Sequence, residues 1–232
     1  MNSVVSEKKF IQERLGIPYE NLSQSYLRAE TQLSNLSNYS FKLQAGSVAN
    51  PLVTEKLLQL NDQFVITHFR VSLRYIDPAV VGVPTATEQL TAQQYLYADP
   101  TVFAQATSGN AINAAAIYNG NIAFIIDRKQ FLPAFPMNSF YRVPTTQTGA
   151  FLKTPGTTAT PVATYSGNTG VNGYDNGLFG FYVSEPTLID GRQTLDLSLN
   201  LNAGVAIATI GTDPMVYATF ETRGYLVVNA KS

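Results

Sequence analysis

The sequence predicts a mainly β protein, an antiparallel two-sheet sandwich carrying a short helical arm at its N-terminus. Three observations predict it. From Tyr39 onward apolar residues recur with period two, the spacing that places alternate side chains on one face of a strand. About eight to ten such runs follow, bounded by Gly-, Pro-, Asn- and Ser-rich turns. They show no repeated unit, which separates a sandwich from a propeller or solenoid.

The first 37 residues differ from the rest. Ser6 is placed to cap a short helix with Phe10, Ile11 and Leu15 as its apolar residues, and Gly16 followed by Pro18 ends it. A second helix is predicted from Leu22, Tyr26, Ala29, Leu33 and Leu36, whose steps of four and three form one helical stripe. Residues 1–37 are thus expected to be a helical arm, either a lid on the sheet or a hook onto a neighbour. Its removal is expected to leave a folded sandwich with impaired assembly.

Residues 38–232 are expected to form a single elaborated sandwich. Tyr39, Phe41 and Leu43 alternate with Ser40, Lys42 and Gln44 in a first strand. The run 60–76 is the clearest strand, with Val65, Thr67, Phe69, Val71, Leu73 and Tyr75 on one face and His68, Arg70, Ser72 and Arg74 on the other. A long loop is predicted over 78–112, with a helix from 86 to 97 inside it. Residues 122–126 are apolar on both faces and read as a central strand. Phe131-Leu132-Pro133-Ala134-Phe135-Pro136 reads as an extended apolar corner, and 140–143 as the start of another strand.

A second long loop is predicted over the Thr-, Gly- and Pro-rich segment 144–177, whose only charges are Lys153 and Asp175, with short strands at 149–153 and 162–165. A buried strand is expected at 178–183, and a short, small-sided one at 205–210. In 194–201, Leu195, Leu197, Leu199 and Leu201 point inward. In 215–228, Val216, Ala218, Phe220, Leu226 and Val228 share a face, and Gly224 marks a bulge or a close backbone approach. Irregular spacing and long loops suit a sandwich of jelly-roll type. An immunoglobulin-like sandwich is disfavoured by the loop lengths and by the lack of tryptophan and cysteine.

Composition narrows the function classes. Charged residues make up 13% of the 232 positions, against about 25% in ordinary soluble domains. A polar surface with few ions can be packed against copies of itself without desolvating many charges; a low-charge extracellular protein is the other reading. The net charge of −1 supplies no general field toward nucleic acid or anionic membranes. With no cysteine there are no disulfides, thiolate metal sites or cysteine nucleophiles, which fits assembly in a reducing cytoplasm. Residues 1–16 contain no apolar run of signal-peptide length, and no segment approaches the roughly 20 apolar residues of a membrane span. No membrane insertion is expected.

Candidate chemistry is sparse. His68, the only histidine, lies beside Arg70 and Arg74, and is expected to be a solvated or interface side chain rather than an acid–base group. Asn172-Gly173-Tyr174-Asp175-Asn176-Gly177 offers oxygen ligands for Ca²⁺ but lacks the carboxylates of an EF-hand, and reads as a turn. Leu188-Ile189-Asp190-Gly191-Arg192-Gln193-Thr194 reads as a hairpin turn rather than a phosphate loop. Glu185, Asp190, Asp196 and Glu221 could supply a carboxylate pair, yet nothing in the sequence selects one. The Arg70/Arg74 stripe reads either as a solvated sheet face or as a contact for nucleic acid or an acidic patch on another subunit. No catalytic, cofactor-binding or metal site, small-molecule substrate or specific nucleic-acid partner is therefore expected. A carbohydrate-binding or adhesion module, using Asn, Asp and Tyr in the loops, is the alternative.

In overall pattern the chain resembles the jelly-roll virion proteins of bacterial viruses. The resemblance lies in the short N-terminal arm, in Leu60-Asn61-Asp62-Gln63-Phe64-Val65-Ile66-Thr67 leading into a long strand, in Phe131-Leu132-Pro133-Ala134-Phe135-Pro136, and in Ser184-Glu185-Pro186-Thr187-Leu188-Ile189-Asp190-Gly191-Arg192-Gln193-Thr194. It implies a capsid shell or shell-associated subunit that forms homo-oligomers and meets other virion proteins, assembled in the host cytoplasm. A double jelly roll would need about sixteen strands at five to six residues each, so one elaborated jelly roll is expected. The arm and the loops 78–112 and 144–177 would be its contact surfaces.

Overall fold

A computed structural model describes residues 3–34, 36–76, 84–92, 94–96, 116–142, 180–201 and 215–228. The chain forms α1 (Ser3–Leu15), β1 (Leu22–Gln32), β2 (Asn38–Phe41), β3 (Gln63–Ile76), α2 (Ala86–Thr91), β4 (Gln94–Tyr95), β5 (Asn121–Ile126), β6 (Lys129–Pro136), β7 (Tyr182–Asp190), β8 (Leu195–Asn200) and β9 (Met215–Val227). All strand pairs are antiparallel. One sheet has the order β1-β9-β3-β4, with β7 also paired to β3; the other has the order β2-β8-β5-β6.

The main core lies between the sheets. Leu27, Ala29, Phe64, Ile66, Phe69, Val71, Leu73, Ala218 and Phe220 of the five-stranded sheet meet Tyr39, Phe41, Ile122, Phe124, Leu197 and Leu199 of the four-stranded one. Phe69 is the aromatic hub, with ring centroids 5.3 Å from Phe135, 5.7 Å from Phe140 and 6.3 Å from Phe220. A second, smaller cluster lies on the opposite face of the five-stranded sheet, where Ile11 of α1 packs among Leu22, Val65, Tyr225 and Val227. Helix α1 is thus a lid in this chain. Ser6 sits inside the helix rather than capping it, and Gly16 closes it at φ +69°, its N–H donating to Gln12 O at 2.9 Å.

The second predicted helix is a strand. Residues 22–32 pair with β9 along their whole length, and it is Leu27, Ala29 and Leu33 that turn inward with period two, while Tyr26 and Leu36 are exposed. The i, i+4 stripe was a coincidence of spacing, overridden by the long partner strand β9 and by the weak helix preference of Ser23, Ser25 and Thr31. The first strand of the sandwich therefore lies within the stretch read as an arm.

Strand β3 begins at Gln63, three residues later than the expected 60–76 run, and one residue breaks its alternation. The register slips between Ile66 and His68 opposite both β9 and β7. Before the slip Phe64 and Ile66 face the main core and Val65 faces α1; after it Phe69, Val71 and Leu73 face the core. Thr67 is the extra residue of a bulge, so Val65 and Phe69 lie on opposite faces. Gly224 stands opposite, where an added Cβ would lie 1.8 Å from Val65 O. Its expected role as a close backbone approach is seen.

Other boundaries move. The 86–97 helix ends at Thr91, started by a capping box between Thr85 and Glu88, and residues 94–95 add to the sheet as β4. The apolar corner is β6, an edge strand hairpinned to β5 through Asp127 and Arg128, both at positive φ. Pro133 and Pro136 are tolerated there because an edge strand has one side free of the ladder. β5 lies inside its sheet between β6 and β8, as expected. Met137–Phe140 is a 3-10 turn, not the start of a strand. The strand placed at 178–183 begins at Tyr182 and continues to Asp190, with Tyr182 and Val183 exposed at the sheet edge.

Asp190-Gly191 does not tip a hairpin: β7 and β8 belong to different sheets, and the turn crosses between them. Gly191 presses on the 59–60 backbone, where a Cβ would lie 2.0 Å from Gln59 O. Strand β8 has the predicted inward Leu197 and Leu199, and β9 turns Val216, Ala218, Phe220 and Leu226 to the main core, while Val228 is exposed. The segments 149–153, 162–165 and 205–210, the Asn172–Gly177 stretch and most of 78–112 lie outside the described residues.

Candidate functional site

The chemistry-bearing side chains gather on the outer face of the five-stranded sheet, the face turned away from the main core. The bulge at Thr67 puts them there, by sending His68, Arg70, Ser72 and Arg74 outward together.

Three ionic groups follow one another along this face. At the α1 end, Glu7 accepts a hydrogen bond from the Tyr225 hydroxyl at 2.8 Å and lies 3.9 Å from His68 Nδ1. Burial lowers the His68 pKa below its ordinary value; Glu7 opposes this and Arg223 adds to it. Next, Arg70 pairs with Glu221 at 2.9 Å and donates to Gln94 Oε1 at 2.7 Å. Arg223 approaches the same carboxylate at 3.5 Å, and the Phe181 ring lies 4.4 Å from the Arg70 guanidinium carbon and 4.6 Å from that of Arg223.

The third group is the most buried. Arg74 is fully enclosed, and its Nη1 contacts both Glu30 oxygens, at 2.7 and 2.6 Å, and Thr54 Oγ1 at 2.9 Å. Its other terminal nitrogen donates to Gln89 O at the end of α2. Arg28 donates to Glu30 at 2.8 Å. Glu55 accepts from the backbone N–H groups of Glu30 and Leu52, at 2.9 and 2.8 Å. Burial raises its pKa; these two hydrogen bonds pull it down, and the neighbouring Glu30 charge pushes it up.

Both readings of the Arg70/Arg74 stripe are corrected by this geometry. It is neither a solvated face nor a free cationic contact, because each guanidinium meets a carboxylate of the same chain. The other nominated acids are dispersed. Glu185 meets Arg14 at 3.4 Å on the surface, and Asp190 accepts from Gln63 Nε2 at 2.8 Å and Arg192 N at 2.9 Å. Asp196 lies exposed on β8 in the other sheet. No pair of them is brought together for acid–base work. Among the described residues no cluster of three or more His, Cys, Asp or Glu side chains could hold a metal, and no helix is long and apolar enough to cross a membrane.

The sequence reading missed Glu7, Glu30 and Glu55, the acidic partners of this face. The signal for Glu30 was present: Leu27, Ala29, Thr31 and Leu33 alternate with Arg28, Glu30 and Gln32.

The outer face of the four-stranded sheet is different. Register sets Ser40 beside Ser198 and Ala123, and Asn38 beside Asn200 and Asn121, all pointing away from the core. Asn38 donates to Asn200, which in turn donates to Ser198 at 3.2 Å. Asp196 is the one charge along the described part of β8. A shallow depression at the end of this face is lined by Ile125, Arg128, Gln130, Thr194 and Asp196.

Comparison with protein-family models, with curated proteins and with solved structures finds no match to this chain.

Proposed function

We propose that this chain is a jelly-roll structural subunit of a virion, a shell or shell-associated component that acts by self-association and carries out no catalysis. The pairing of β1 with β9, β2 with β8 and β3 with β7 supports the jelly-roll reading. Such a nested set of antiparallel partners is what results when one long hairpin is rolled into two facing sheets. Jelly rolls serve capsid and lectin domains alike, so the fold alone does not choose the function.

The observation that carries the functional reading is the contrast between the two outer sheet faces. The charges of the five-stranded sheet are consumed in pairs within the chain, whereas the four-stranded sheet presents a flat ladder of Ser, Asn and Ala. Packing a copy of the protein, or another virion protein, on that ladder would desolvate few ions. The absence of cysteine fits assembly in the reducing cytoplasm of a host.

The test is the mass distribution of the purified full chain by light scattering, followed by negative-stain imaging. Discrete closed oligomers or shells are the expected result. A strict monomer at high concentration overturns self-association.

A further inference from the structure

The sheet edges are not alike. β6 begins with Lys129 and carries Pro133 and Pro136; β7 carries Glu185 and Pro186; β2 is only 4 residues long and β4 only 2. Proline, charge and shortness are the devices that keep an edge strand from pairing with another chain. Strand β1 is 11 residues long, and its first half, Leu22-Ser23-Gln24-Ser25-Tyr26-Leu27, has neither proline nor charge.

The direction of its backbone groups follows from its neighbours. On the side away from β9, Arg28 exchanges both backbone hydrogen bonds with Lys56, at 2.8 and 2.9 Å. The Glu30 N–H donates to Glu55 Oε1 at 2.9 Å, and Leu22 O accepts from Lys8 Nζ at 2.5 Å. Alternation then turns the N–H and C=O of Gln24 and Tyr26 outward as well. Among the described residues no backbone group meets them, and the side chains of Ser23, Gln24 and Tyr26 are exposed.

We propose that residues 23–27 of β1 pair with the same residues of a second copy, antiparallel about a two-fold axis through Ser25. Lys8 and the Lys56 backbone close the two ends of the window. The Lys56 side chain reaches back over it, donating to Ser25 Oγ at 3.0 Å and lying 4.5 Å from the Tyr26 ring centre. This register brings the open residues of one copy onto those of the other. Gln24 then exchanges two hydrogen bonds with Tyr26 of the second copy, and Tyr26 two with its Gln24. Ser25 faces its own symmetry mate, and pairing requires the two Lys56 ammonium groups, each on its own Ser25 and Tyr26, to swing off the axis into solvent. The contact is isologous and continues the five-stranded sheet across the dimer. The choice of a second copy as the partner rests on the self-association reading above.

The chain has no native thiol, so Ser25→Cys introduces a single one. In a non-hydrogen-bonded antiparallel pair the facing Cβ atoms lie about 4.5–5.5 Å apart, a short adjustment from disulfide distance. Mild oxidation of the full-length Ser25→Cys protein should give a covalent dimer on a non-reducing gel. Ser184→Cys, on the guarded β7 edge, should stay monomeric there. Gln24→Pro deletes the outward N–H, together with the side-chain hydrogen bond between Gln24 and Tyr225, and should weaken association about tenfold or more in sedimentation equilibrium. Gln24→Ala, which loses only the side chain, should not weaken it. If the wild type associates but Ser25→Cys does not cross-link, edge pairing is overturned and self-association stands. If the wild type is monomeric throughout, both readings fall.

Discussion

At the scale of single residues, Arg74 and Glu30 form the most deeply buried ion pair among the described residues. Both side chains are essentially removed from solvent. Removing one partner strands the other charge in a low-dielectric site, a loss of about 3–5 kcal/mol. Arg74→Met is therefore expected to lower the urea midpoint strongly with little change in the slope of the transition. Pairing it with Glu30→Leu should cost less than the sum of the two single changes, which a double-mutant cycle would measure. His68 gives a pH signature. Its folded pKa lies below its ordinary 6.5, so below pH 6.5 the unfolded chain takes up the proton more readily. Its contribution to stability is complete above that pH and is lost as the pH falls through the folded value. It is the only histidine in the chain, and His68→Gln should flatten the stability profile just below pH 6.5. Glu55 has the opposite sign: with its pKa raised, its contribution is present below 4.5 and is lost as the pH rises through the folded value.

At the scale of elements, the bulge at Thr67 and the glycine opposite it work as one device. The extra residue moves β3 from even-in to odd-in, and the approach of Val65 O to Gly224 leaves no room for a side chain at 224. Gly224→Ala is expected to cost about 3 kcal/mol or more, because a backbone contact has to open. Thermal unfolding of that variant should show a large fall in midpoint, while Gly46→Ala, where nothing lies within 4 Å of the added Cβ, should be mild. The N-terminal elements separate in the same way. α1 buries one side chain fully against the sheet, Ile11, with Leu15 at the margin, and adds the hydrogen bonds of Glu7 with Tyr225 and of Lys8 with Leu22 O. β1 pairs with β9 over all 11 of its residues. Truncation after Gly16 should leave a cooperative β transition by circular dichroism, with reduced stability. Truncation after residue 37 removes a strand from the sheet and should abolish that transition.

At the scale of the whole molecule, the low charge content is spent unevenly. The described arginines at 28, 70 and 74 are held by carboxylates of the same chain, and the four-stranded sheet faces outward with amides and hydroxyls. Self-association through such surfaces should depend little on ionic strength. Raising salt from about 50 to 500 mM, which shortens the screening length severalfold, should leave the oligomer distribution by light scattering nearly unchanged. Dissociation at high salt would mean that exposed ion pairs hold the copies together.

The period-two pattern was enough to place the two-sheet architecture, the inward leucines of β8, the inward face of β9 and the special role of Gly224. Those features are local, because alternation and a missing Cβ are properties of a single strand. Whether 22–32 was helix or strand could not be settled locally, since Leu22, Tyr26, Ala29 and Leu33 satisfy a helical stripe and only β9, almost 200 positions away, supplies the competing ladder. The fate of Arg70 and Arg74 was equally hidden. Their alternation on β3 was legible, but burial and pairing depended on Glu30, Thr54, Gln89 and Glu221 arriving from four distant segments. Strand periodicity says which way a side chain points. Long-range pairing decides what it meets there, and at this sheet face what it meets turns a basic stripe into a set of internal ion pairs.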